Sequence, residues 1–457
     1  MHSVETGRPC ASGWLLKFSR ATFAASFLLI MLTPAWERGT FNVLPIVRFR
    51  LSGQDFQVGA LALLPAVATI TWALAYLRER PGCPSCRAAV SLAPMLLFCT
   101  LALVRIWPVH IRHRAAVTVV AVLIAGGTCL YVMQEGSERW CAGLLTALLL
   151  LQGGAAVVQF VKQGSIGLSW MGELWLDPDG QGISVIDVAG RRWLRAYGLT
   201  SHPNALGGYL SMGILACLGA VRAVPSSTRR WTWGAILLGS MGLFFTFSRS
   251  AWLGTAVGLL YLAWVMRPWR AVDWRAPRVR RAALLLGGLL AVVATVLGVA
   301  YRDLLATRLL RLGDPLEATS IRERAEDYPQ AWGLIRVAPL QGVGSGYYVD
   351  ALWAGVGADR PPGFRKVHNI YLLAAAELGI GGALLWLGIV LAPSAVLACR
   401  ALRTGGAAIG AGWAAALLSA AVLGVFDNYL YIPSTWWPAL YLGLLAGAWA
   451  RVEDHRE

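Results

Sequence analysis

Arg365-Lys366-Val367-His368-Asn369-Ile370-Tyr371-Leu372 leads into an apolar stretch, Asn369 to Cys399, whose only charge is Glu377. A hydrocarbon core of about 30 Å is crossed by about 20 apolar helical residues, so the stretch reads as a membrane helix entered from a basic polar loop. His368 stands at the entry. An imidazole at such a rim is wet enough to titrate and dry enough to be held in place, which suits proton transfer at a bilayer surface and points to lipid-linked partners.

The rest of the chain repeats this pattern. Apolar residues make up 57% and charged residues 14% of the 457, with a mean hydropathy of +0.58, beyond what a water-exposed surface tolerates. Twelve apolar runs follow one another: Ala21–Trp36, Val58–Leu77, Ala88–Val104, Ala115–Met133, Trp140–Val161, Asn204–Val221, Trp231–Phe247, Ala251–Met266, Ala282–Ala300, Asn369–Leu397, Ala407–Phe426 and Trp436–Ala450. The expected fold is an all-α polytopic membrane protein of about twelve transmembrane helices. The first run is read as an uncleaved helix, because it follows a long lead without a small-x-small cleavage site.

Arg267, Arg270, Arg275, Arg278, Arg280 and Arg281 face Asp273 alone in one short loop, which is therefore cytoplasmic. Arg78, Arg80 and Arg87, then Arg222, Arg229 and Arg230, then Arg400 and Arg403 fall on the same side, while Arg112 and Arg114 fall outside. The expected organisation is five helices over 1–161, an extracytoplasmic loop over 162–203, four helices over 204–300, a larger extracytoplasmic loop over 301–368, and three helices over 369–457. The net charge of +16 is then read as orientation and contact with anionic lipid, not nucleic-acid binding.

The eight cysteines are scattered and form no disulfide framework. Cys83-Pro84-Ser85-Cys86 lacks a second pair for zinc and reads as a reduced turn. Asp177-Pro178-Asp179-Gly180 spells the Asp-x-Asp of metal-using glycosyltransferases, but Pro-Asp-Gly is also a strong turn sequence, and the turn is preferred. No metal and no cofactor are expected.

Four polar constellations remain. Arg195-Ala196-Tyr197-Gly198-Leu199-Thr200-Ser201-His202-Pro203-Asn204 ends the first loop at a helix N-terminus, where Asn204 or Ser201 can cap and where exposed N–H groups attract anions. Phe247-Ser248-Arg249-Ser250 is a tight reversal whose arginine has no acidic neighbour in sequence, so a ligand phosphate is a fitting partner. Arg322 and Arg324 precede Trp332, and Arg322 also has the spacing of an i,i+4 partner for Glu326. Gly342, Gly344 and Gly346 suggest a tight turn or close backbone approach and not a nucleotide loop. Glu377 lies nine residues beyond His368, on the opposite helix face and about 13 Å deeper, so it reads as making an interhelical hydrogen bond, with Tyr371 the nearer neighbour of His368.

In order, Arg195-x-x-Gly198 with His202-Pro203-Asn204, Ser248-Arg249-Ser250, Arg322 with Trp332, Pro339-Leu340-x-Gly342-Val343-Gly344, and His368-Asn369-x-Tyr371-Leu372 with Glu377-x-Gly379 resemble the O-antigen ligase and polymerase superfamily. The resemblance covers about Arg195 to Gly382. It implies a GT-C-like membrane enzyme with its active site on the extracytoplasmic side of the inner membrane. Such an enzyme moves a glycan from an undecaprenyl-diphosphate carrier to an acceptor hydroxyl on a glycolipid, glycan or protein, without a metal. It also implies catalytic roles for His368, Arg195 and Arg322, with Arg249, Arg324, Tyr371, Asn369 and Asn204 binding substrate. His368 would act on the acceptor hydroxyl and the arginines on the diphosphate.

The alternatives are an O-antigen-type polymerase, a protein O-oligosaccharyltransferase and, from another class, a small-anion (bicarbonate-like) transporter. A carrier should carry inverted repeats and helices broken at mid-membrane, and the sequence suggests neither. Pro329 is expected to interrupt the helix around Arg322 and Arg324.

Overall fold

The computed structural model describes residues 17–25, 46–51, 54–59, 67–68, 70–74, 85–106, 112–267, 276–277, 281, 295–310, 315–355, 365–404, 410–434 and 436–454. Helices dominate them: α1 (Cys86–Val104), α2 (Arg112–Glu135), α3 (Glu138–Lys162), α4 (Pro203–Ala220), α5 (Ser226–Phe245), α6 (Arg249–Met266), α7 (Arg302–Leu310), α8 (Pro315–Val337), α9 (Tyr348–Ala354), α10 (Ile370–Thr404), α11 (Ala411–Phe426) and α12 (Trp436–Asp454). From Cys86 onward each predicted apolar run coincides with one of these helices, except Ala282–Ala300, which lies mostly outside the described residues. So do Ala21–Trp36 and Val58–Leu77, together with Cys83 and most of the basic loop from Arg267 to Arg281. Among the described residues, four helices are long and apolar enough to cross a membrane by length and composition: α1, α2 from Val117, α3 and α10.

Two features differ from the sequence reading. Ile46–Leu51 (β1) pairs antiparallel with Gln54–Gly59 (β2), so the second apolar run does not begin as helix at Val58. The two-residue alternation of Val47-Arg48-Phe49-Arg50-Leu51 carries that strand signal. The helix around Arg324 also runs through Pro329, which forfeits one backbone hydrogen bond inside α8 without ending it, since α8 is packed along α10.

Helices approach closely where residues are small. The Gly443-x-x-x-Gly447 face of α12 lies on α2, where an added Cβ would meet Ala125 O at 2.6 Å and Cys129 O at 2.5 Å. Hydroxyls tie the same layers: Ser211 Oγ lies 2.8 Å from Ser419 Oγ and accepts from Thr255 Oγ1 at 2.7 Å. One end of the bundle collects Ser85 with Asp454, Arg451 with Met133 and Gln134, Trp413 with Glu138, and Arg400 with Glu453. The termini at Lys162, Pro203, Phe245, Arg249, Ile370 and Phe426 lie at the other, where the two long loops meet.

The first loop is held from within. The buried Glu173 carboxylate accepts from Gln159 Nε2 at 2.8 Å and from the amides of Ile166 and Leu168 at 2.7 Å each. Asp177–Gly180 forms the expected turn, with Gly180 N donating to Asp177 O at 2.9 Å. A hairpin of Val185–Val188 (β3) and Arg191–Leu194 (β4) follows, packs against α7 of the second loop, and delivers Arg195 to the bundle.

Candidate functional site

The cap of α4 is His202, whose Nδ1 accepts from Asn204 N at 3.1 Å while Nε2 lies 3.0 Å from Ser184 Oγ. This frees the Asn204 side chain to work between two charges. Its Oδ1 accepts from Arg195 Nη2 at 2.5 Å, and its Nδ2 donates to Asp427 Oδ2 at 2.9 Å. Arg195 also donates through Nε to Thr246 O at 2.8 Å, so the chain reversal between α5 and α6 fixes the guanidinium. Burial and the nearby charge of Arg308 pull Arg195 down to about 9, still cationic at neutral pH.

Asp427 follows the last turn of α11. It is buried, its Oδ1 has no hydrogen-bond partner among the described residues, and burial raises its pKa against the opposing pull of Arg324, His368, Asn204 and Arg195. Those four groups therefore all lie within electrostatic reach of this carboxyl. Tyr429 joins them and stacks on the His202 ring at 4.9 Å.

His368 is reached from the other side by α8. Its Nδ1 lies 2.9 Å from Oδ2 of Asp327, whose carboxylate also accepts from Arg365 Nε at 3.2 and 3.3 Å. The imidazole side chain is 23% exposed and the Asp327 side chain 2%. Asn428 Nδ2 donates to the carbonyls of Lys366 and Val367 at 3.1 and 3.0 Å, which ties the His368 segment to the residue after Asp427.

The two candidate arginines of α8 are separated. Arg324 turns towards Asp427, with its Nε buried and without a hydrogen-bond partner among the described residues. Arg322 is exposed and faces Glu326 at 3.9 Å. Arg249 donates through Nη1 to Arg308 O at 3.1 Å, and Arg308 Nε donates to Phe247 O at 3.1 Å. Arg308 is thus bound to the α5–α6 reversal, and Arg249, at the α6 end of that reversal, is bound to α7.

Asn369 and Tyr371 make helix contacts. Asn369 Oδ1 accepts from Leu372 N at 3.0 Å and its Nδ2 donates to Val425 O at 3.2 Å, whereas the Tyr371 hydroxyl donates to Ala421 O at 2.6 Å. The partner of His368 is accordingly Asp327 and not Tyr371.

Behind the site, α10 is broken at Gly379 (φ 76°, ψ 175°), a feature the sequence reading did not expect. The glycine loop fills the break: Val343 N donates to Ala376 O at 2.8 Å, Gly344 N to Glu377 O at 3.0 Å, and Ile380 N to Pro339 O at 2.8 Å. Glu377 makes its bonds to the glycine loop and the first residue of α9, accepting from the amides of Gly346 at 2.7 Å and Tyr348 at 3.3 Å. All three loop glycines have positive φ.

Sequence reasoning missed Asp427, Asp327, Arg308 and Tyr429. Asp427 and Tyr429 do carry a signal: Asp427-Asn428-Tyr429 closes an apolar run at the loop end where His368 opens one. Asp327 has none beyond sharing a helix face with Arg324 three residues earlier. Among the described residues, no group of three or more His, Cys, Asp or Glu side chains could hold a metal ion.

No curated protein matches the chain. Residues 234–387, which run from α5 into α10 and contain Arg249, Arg308, Arg324, Asp327 and His368, match the family model described as O-antigen ligase, which supports the resemblance to the O-antigen ligase and polymerase superfamily.

Proposed function

We propose that the protein transfers a glycan from an undecaprenyl-diphosphate carrier to an acceptor hydroxyl, in the manner of an O-antigen ligase, at the extracytoplasmic face of the inner membrane. The observation that carries this reading is the meeting of a partly exposed imidazole, His368, with Arg195 and Arg324 around the buried carboxyl of Asp427, with Arg308 beside Arg195. With Arg365 on Asp327 included, four guanidinium groups stand against the two buried carboxyls of Asp427 and Asp327, which leaves positive charge for a dianionic diphosphate, and the planar fork of arginine suits its oxygens.

In this reaction the acceptor oxygen attacks the anomeric carbon. His368 takes the hydroxyl proton, the bond from anomeric carbon to diphosphate oxygen breaks, and undecaprenyl diphosphate leaves with the electron pair. The arginines stabilise the charge that grows on the leaving group, and inversion follows from direct displacement. Arg324 takes the role assigned to the α8 arginine, because Arg322 faces Glu326 and solvent. Arg249, Asn369 and Asn204 then serve as positioning groups, and Tyr371 fastens α10 to α11. The twelve-span arrangement, the five-four-three grouping of helices around the two loops and the GT-C-like architecture belong to this reading. So does independence of metal.

Transport is less well supported, because the break in α10 is filled by the backbone of the glycine loop. Deletion of the gene in its host tests the choice. Accumulated undecaprenyl-diphosphate-linked glycan supports transfer, whereas unchanged carrier levels with lost bicarbonate uptake would support a carrier.

A further inference from the structure

We infer that Asp327 is a positioning residue for His368, fixing the imidazole as its Nδ1–H tautomer so that Nε2 is the ring's free basic nitrogen. The inference deepens the reading of His368 as the proton acceptor and rests on it for its catalytic consequence.

A carboxylate 2% exposed must be paired, and among the described residues Asp327 has two partners: Arg365 Nε at 3.2 Å and His368 Nδ1 at 2.9 Å. The guanidinium favours the ionised carboxylate, which can only accept hydrogen bonds. Its neighbour nitrogen must then carry the proton, and a neutral ring protonated at Nδ1 has its lone pair at Nε2. The helix geometry supports the assignment. Asp327 lies three residues after Arg324 on one face of α8, while Arg322 and Glu326 are exposed on another, so a single face supplies both a cation beside Asp427 and the carboxylate on His368. A purely structural Asp327, joining α8 to the segment before α10, would make the same contacts but would not depend on the tautomer.

The test uses the full chain in lipid nanodiscs with ¹⁵N-labelled histidine, the His368 signal being identified by its loss in His368→Gln. At a pH where the ring is neutral, His368 should carry the Nδ1–H signature. Asp327→Asn can donate to Nδ1 from its amide, so the signal should move to the Nε2–H form, with Asp327→Glu restoring the original. Transfer, read as undecaprenyl-diphosphate-linked glycan accumulating in host membranes, should fall about 10²-fold in Asp327→Asn and recover in Asp327→Glu. An unchanged His368 signature in Asp327→Asn overturns the inference. A switched tautomer with full transfer upholds the contact and overturns His368 as the base. Should Asp327→Asn fail to accumulate, Asp327→Glu carries the test: an Nε2–H signature there overturns the inference, and a retained Nδ1–H signature with transfer supports it.

Discussion

Asn204 Nδ2 donates to Asp427 Oδ2 at 2.9 Å, joining the N-terminal turn of α4 to the end of α11 across 223 positions of sequence. This bond closes the site, because the same amide accepts from Arg195. Asp427 is held there at a cost, since burial raises its pKa. A folded-state pKa above the unfolded value contributes stability below the unfolded pKa that is lost as pH rises through the folded one. Asp427→Asn should therefore leave the thermal midpoint unchanged or raised near neutral pH and remove part of its decline with rising pH, while lowering transfer at least about 10-fold. Thermal unfolding across pH beside a transfer assay checks both halves.

The arginines of α8 should separate cleanly. Arg322→Ala removes an exposed i,i+4 contact worth about 0.2–0.5 kcal/mol and should leave transfer near wild type. Arg324→Ala should lower it about 10²-fold, as loss of a group aimed at developing charge does. Equal losses in both variants, at equal abundance, would contradict the placement.

Arg195→Lys should reduce transfer about 10-fold or more, because one ammonium cannot reproduce the fork that reaches Thr246 O and Asn204 Oδ1 from a buried position. Product measured at matched protein abundance decides it. A wild-type level would return Arg195 to an interfacial role.

Gly379→Ala should cost folded protein and not chemistry. An added Cβ would lie 2.3 Å from Leu340 O at a residue with φ 76°, so both the backbone and the docked glycine loop resist it. A loss of about 2 kcal/mol or more is expected, read as a lower thermal midpoint and lower yield.

The apolar periodicity made the helices legible, since hydrophobic length is a local property of sequence. His368 and Arg195 were legible for a related reason: a polar residue at the edge of an apolar run is costly and stands out, as does Glu377 within one. On the mixed helix α8 the expected catalytic role fell to Arg322, with the choice between it and Arg324 left open. Asp327 was hidden because a carboxylate on a mixed helix looks solvated until a distant loop covers it. Arg308 was hidden in the same way among the charges of α7. The break at Gly379 was hidden because glycine is common in membrane helices, and its significance lies in the backbone of Pro339–Gly344 that fills it. The β1–β2 hairpin was visible as alternation but was obscured by the apolar run beside it.

Transfer by the His368→Ala variant, in membranes supplied with the undecaprenyl-diphosphate-linked donor and its acceptor, tests the central claim most directly. General acid–base help is worth about 10²–10⁴-fold, so transfer should fall by that order while the protein stays folded and the donor accumulates. His202→Ala, which loses a helix cap and a stacking contact on Tyr429, should cost much less transfer. Full glycan transfer by folded His368→Ala would contradict the account.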